Sequence, residues 1–149
     1  MVDPLALQRY SLFGGLLEEQ IEKILPLVEY ETFGAGNSII VEGDRNDRIR
    51  FILEGRVAVI KGGRILFEFG EGETFGEMEV LDIMPSVATI KAKVPTRVMS
   101  LSNKGLHEIY KKDIPVFAML IMNLARDLSR RLRQMDEKVV EESPFLEWG

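Results

Sequence analysis

Residues 75 to 89 read F-G-E-M-E-V-L-D-I-M-P-S-V-A-T. Gly76 lets the backbone approach a ligand closely, and Glu77 to Leu81 is long enough for one helical turn with free amides at its start. Unpaired N–H groups and the positive end of a helix form an anion site. Glu77 adds an acceptor suited to sugar hydroxyls. Phosphate beside ribose is the ligand that these two features describe together.

Working outward, glycines crowd the middle of the chain at positions 34, 36, 43, 55, 62, 63, 70, 72 and 76, whereas only Gly105 and Gly149 follow. Turn residues at short intervals between β-branched and aromatic runs mark short antiparallel strands. The runs are Tyr30 to Phe33, Ser38 to Val41, Ile49 to Glu54, Arg56 to Ile60, Arg64 to Phe69, Val87 to Val94 and Arg97 to Leu101. Gly62-Gly63 supplies the positive φ angles of a tight hairpin. About eight short strands at this spacing predict a jelly-roll-like β-roll, a double-stranded β-helix that protects its sheet edges.

Both flanks read as helix, so the predicted class is mainly β with flanking α-helices. Glu18 to Leu27 places Ile21, Ile24, Leu25 and Val28 on one face. Ser102-Asn103 caps a short helix over Leu106 to Lys111, and Pro115 opens a long helix reaching about Glu142. Along it Phe117, Ile121, Leu124, Leu128, Met135 and Val139 form a near-heptad stripe interrupted by Arg131. Such a stripe needs a partner surface. The reading is that the helix packs first on its own roll and then on a second copy, with Phe117, Ile121, Leu124, Leu128 and Met135 as a homodimer interface. Residues 1–149 form one unit: a leading helical segment over 3–28, the roll over 29–101 and the C-terminal helices over 102–142.

Several motifs in order carry a resemblance. Leu12-Phe13-Gly14-Gly15-Leu16, Phe33-Gly34-Ala35-Gly36, Glu42-Gly43-Asp44, Phe51-Ile52-Leu53-Glu54-Gly55-Arg56-Val57 and Gly70-Glu71-Gly72 lead into Phe75-Gly76-Glu77. Together they resemble the cyclic-nucleotide-binding domain family, of the catabolite activator and kinase regulatory-subunit type, through nearly the whole chain. Residues 75–89 look like that family's phosphate-binding cassette without insertion or deletion. The resemblance implies that Gly76 and Met78 offer amides to a cyclic phosphate and that Glu77 binds the ribose 2′-hydroxyl. It implies cyclic AMP or cyclic GMP as the ligand, with no other cofactor.

The chain departs from the family pattern where charge matters. An arginine follows the cassette proline in the family, and here Ser86 stands there; Glu79 replaces a small alanine, and Val87 replaces a serine or alanine. A charge-assisted pair contributes on the order of 3 kcal/mol, about 100-fold in affinity. The expectation is therefore a ligand bound weakly if at all. Aligning the long helix through Glu137-Lys138-Val139 puts Arg131 where some members bring an arginine toward the cassette glutamate. The same register puts Met135 and Asp136 where others touch adenine. Lys91 is the other candidate for the missing charge.

Composition limits the remaining classes. The chain has no cysteine and a single histidine, His107, which removes thiolate sites, two-histidine metal centres and histidine triads. No metal or catalytic residue is predicted, and His107 reads as a solvated helix position. With 19 basic and 24 acidic residues the net charge is -5, which disfavours nucleic acid and anionic membranes. Arg126, Arg130 and Arg133 are interspersed with Asp127 and Asp136, so they read as a solvated mixed-charge face. The N-terminus lacks a secretion signal and the longest apolar stretch, Val116 to Ala125, is too short to span a bilayer, so a cytoplasmic location is expected. The functional expectation is a stand-alone, non-enzymatic sensor module whose output belongs to a separate protein. The alternative is a ligand-independent homodimerisation or protein-interaction module that keeps the fold as scaffold.

Overall fold

The structure, a computed structural model, describes residues 2–145. The short apolar runs fold as β1 (Glu29–Phe33), β2 (Ser38–Ile40), β3 (Arg48–Glu54), β4 (Arg56–Lys61), β5 (Arg64–Gly70), β6 (Thr74–Phe75), β7 (Thr89–Ala92) and β8 (Thr96–Ser102). They form two four-stranded sheets in the orders β1-β8-β3-β6 and β2-β7-β4-β5, with every pairing antiparallel. Ile40, Ile52, Val57, Phe69, Phe75, Ile90 and Val98 come from both sheets and share one core. This is the predicted β-roll.

Strand β3 is buried on both faces because two cores meet across it. Its Ile52 enters the core of the roll, whereas Ile49 and Phe51 point to a helical layer. That layer holds α1 (Pro4–Leu7), a 3-10 turn over Ser11–Phe13, α2 (Glu18–Ile24), α4 (Asn103–Lys112) and α5 (Ile114–Glu142), while α3 (Glu77–Asp82) lies within the cassette. Leu7, Phe13, Ile21, Ile24, Leu106, Val116, Leu120 and Leu124 pack together there with Met99 of β8.

The local signals operate as read. Gly62 and Gly63 take φ of 58° and 73° in the β4–β5 hairpin. Ser102 caps α4 by accepting from Gly105 N–H at 3.0 Å, and Pro115 lies in the first turn of α5, whose cap, not anticipated from sequence, is Asp113 accepting from Val116 N–H at 3.2 Å. β7 is shorter than the run Val87 to Val94 suggests. Its leading residues belong instead to a loop tied to the β2–β3 turn, through Gly43 N–H to Ser86 O at 2.8 Å and Ser86 N–H to Asp44 O at 2.9 Å. β6 was not expected, since two residues show no alternation.

The long helix corrects two expectations. Its buried residues are Val116, Leu120, Asn123, Leu124 and Asp127, a face rotated from the expected stripe. Leu124 is 1% exposed inside its own chain and cannot serve a dimer interface, and Phe117 and Ile121 pack half-buried against the same core. Asp127, expected in solvent, is buried. Its carboxylate accepts from Ser11 Oγ at 3.0 Å and from Arg130, and Asn123 Nδ2 donates to Leu12 O and Gly14 O, both at 2.9 Å. The turn at Ser11–Gly14 leaves carbonyls without strand or helix partners, so polar side chains on the buried face supply the donors. From Ser129 to Glu142 every residue except half-buried Arg131 is exposed.

Candidate functional site

The cassette begins at Gly76, whose φ of 84° lies in the left-handed region. A Cβ there would come within 2.8 Å of both Arg48 O and Asn46 Nδ2, so only glycine fits. Asn46 Nδ2 donates to Gly76 O and Arg48 O, each at 2.9 Å, while its Oδ1 accepts from Arg50 Nη1 at 3.1 Å. Arg50 is buried and meets Glu31 through Nε at 3.0 Å and Nη2 at 3.4 Å. Asn46, Arg50 and Glu31 thus anchor the start of the cassette, and sequence reading missed all three. The one available signal was a charged residue inside the apolar run Ile49 to Leu53, which does not reveal a partner on another strand.

Glu77 opens α3 and is 3% exposed. Its Oε1 accepts from Arg131 Nη1 at 2.5 Å, and the other arm of the guanidinium donates to Thr74 O. The same guanidinium lies 4.4 Å from the centre of the Phe69 ring. Burial pushes the Glu77 carboxyl above the usual carboxylate range, and the Arg131 charge pulls it back only in part. Glu79, half-buried, is also raised by burial, with backbone and Asn46 hydrogen bonds opposing and Asp82 adding to the shift. A groove of about 290 Å³ runs beside Arg131, lined among others by Phe67, Phe69, Glu73, Asp127, Arg130 and Gln134.

The expected site residues separate into two groups. Gly76, Glu77 and Arg131 come together, with Phe75 behind them in the core. Ser86 is buried, and its hydroxyl donates to Ala88 O at 2.7 Å, so its proton is not aimed at a ligand. Met78, Val87 and Met135 are largely exposed. Lys91 does not supply the missing charge to the interior: Ile90 and Ala92 are buried on either side of it, so strand alternation turns Lys91 outward. The cation that does reach the cassette loop is Lys61, which sequence reading overlooked. Its Nζ donates to Val87 O at 2.8 Å and pairs with Glu42 at 3.5 Å. Helix α3 ends at Ile83 with φ of 57°, a strained geometry for a β-branched residue.

In this two-sheet roll a short helical cassette and a C-terminal helix converge on the buried Glu77 carboxylate. A family model described as the cyclic nucleotide-binding domain matches residues 30–113. The chain belongs to that family. It is 32% identical over 130 residues to the cyclic AMP receptor protein of Thermus thermophilus, covering 84% of this chain and 58% of the receptor. It is 27% identical over 123 residues to the cAMP-dependent protein kinase regulatory subunit of Yarrowia lipolytica, covering 73% of this chain and 33% of that protein. The chain thus spans under two thirds of the curated relatives it matches. Among solved structures, the Thermus thermophilus catabolite activator protein superposes with a TM-score of 0.74 at 30% identity, over 87% of this chain and 61% of that one. A cyclic nucleotide-binding domain from Methylobacillus flagellatus reaches 0.87 at 23% identity, over 98% and 85%, which shows the shared fold. Among the described residues no group of side chains is placed to hold a metal ion, and no helix is long and apolar enough to cross a membrane.

Proposed function

We propose that the chain is a non-enzymatic regulatory module in which α5 reports the state of the cassette, and that a cyclic nucleotide or related phosphorylated ligand binds it weakly if at all. The observation that carries this reading is the ion pair between Glu77 of the cassette and Arg131 of α5. A ribose hydroxyl arriving at Glu77 must displace that arginine, so occupancy and helix position are linked. Weak affinity follows from the charge at the phosphate end, where Ser86 brings no cation and Glu79 adds a carboxylate nearby. The family match and the names of the relatives support a regulatory role, with the output belonging to other parts of the system. Isothermal titration of the protein with cyclic AMP and cyclic GMP at millimolar concentration tests the reading. Weak, saturable heat from either supports it, and silence from both rejects these ligands.

The exposed apolar residues Leu132, Met135 and Val139 on distal α5 favour a second reading, in which the helix pairs with another copy and the roll is scaffold.

A further inference from the structure

We infer that Arg131 is the resident ligand of the cassette, and that the site it fills is built for a guanidinium cation. This rests on the regulatory reading above and names the ligand class of the same site.

The guanidinium is recognised on three sides. Glu77 accepts from one arm at 2.5 Å, Thr74 O accepts from the other, and the Phe69 ring lies 4.4 Å away on the flat face. Two in-plane acceptors and an aromatic platform match a planar cation that donates in a fork and stacks. They do not match an anion. Residues 75–90 contain Glu77, Glu79 and Asp82 and no lysine or arginine. Ser86 uses its proton on Ala88 O, and Lys61 is engaged by Val87 O and Glu42. A phosphate entering here would meet the buried Glu77 and half-buried Glu79 carboxylates, with no arginine fork to grip it.

Arg131 is also the single residue between Ser129 and Glu142 that is not exposed. Its hydrogen bonds to Glu77 and Thr74 O are the ones that tie the distal half of α5 to the roll among the described residues. A competing guanidinium, such as an arginine side chain presented by a partner or a free arginine-like ligand, would take its place and release the distal helix.

Hydrogen exchange and amide NMR on Arg131→Met, which keeps the aliphatic stem over Phe69, test this in the full chain. The variant should raise exchange across residues 129–142 by about tenfold or more while the roll is unchanged. Methylguanidinium at millimolar concentration should then shift the amides of residues 74–79 saturably, methylammonium and inorganic phosphate should not, and adding Glu77→Gln should abolish the response. The double variant should also melt higher than Arg131→Met alone, because the unpaired buried carboxylate is gone. Unchanged exchange over 129–142, or cassette shifts with phosphate or cyclic AMP in place of methylguanidinium, overturns the inference. The titration of the unsubstituted protein with cyclic nucleotides is independent of these variants, so failure of the regulatory reading shows separately.

Discussion

Gly76 and Glu79 carry the two sharpest consequences of the cassette at the level of single residues. Gly76→Ala places a Cβ against Arg48 O and Asn46 in a left-handed backbone. It should cost about 1–3 kcal/mol in urea unfolding, and a change within error would show that the turn is not constrained as described. Glu79 has a raised carboxyl in the fold, so folding favours its protonated form. The contribution of that proton is fully present below the ordinary carboxylate range and is lost as pH rises through the raised value. Glu79→Gln should therefore raise the melting temperature near neutral pH, with the gain shrinking as pH falls toward the carboxylate range. A gain that is constant with pH would rule out the burial explanation. Gly76 and Glu77 were legible in the sequence because a glycine before a single helical turn is a local pattern. Asn46, Arg50 and Glu31 were not, because their roles depend on strands brought together by the fold.

Elements were legible to the extent that their cause is local. The hairpin at Gly62-Gly63, the cap at Ser102 and the span of α5 all follow from neighbouring residues. The face that α5 buries does not. Hydrophobic spacing selects Phe117, Ile121, Leu124 and Leu128, whereas of these the fold fully buries only Leu124, alongside Val116, Leu120, Asn123 and Asp127. Two polar residues on a buried face are intelligible only once the carbonyls of Leu12 and Gly14 are seen beneath them. Replacing Asn123 with leucine removes both donors and leaves those carbonyls unpaired. A loss of about 1–3 kcal/mol is expected by chemical denaturation, and a neutral result would mean that water reaches the turn.

For the whole molecule, glycine-punctuated strands and motifs in fixed order constrain the roll many times over. In the second reading, association between copies would rest on the exposed apolar residues of the distal helix. Leu132→Glu should shift the mass in sedimentation toward that of one chain while leaving the melting temperature within a few degrees, whereas Leu124→Glu should unfold the protein through its core. A dimer that survives Leu132→Glu would place any interface elsewhere. The fold of a cyclic nucleotide-binding domain is kept with Ser86, not a cation, after the cassette proline and a guanidinium on the Glu77 carboxylate, and we propose that this charge arrangement weakens nucleotide binding. Titration of cyclic AMP into the unsubstituted protein and into Ser86→Arg tests it most directly. Millimolar or undetectable binding that tightens by about tenfold or more on restoring the arginine is the predicted result. Micromolar binding by the unsubstituted protein, with no gain from Ser86→Arg, would contradict it.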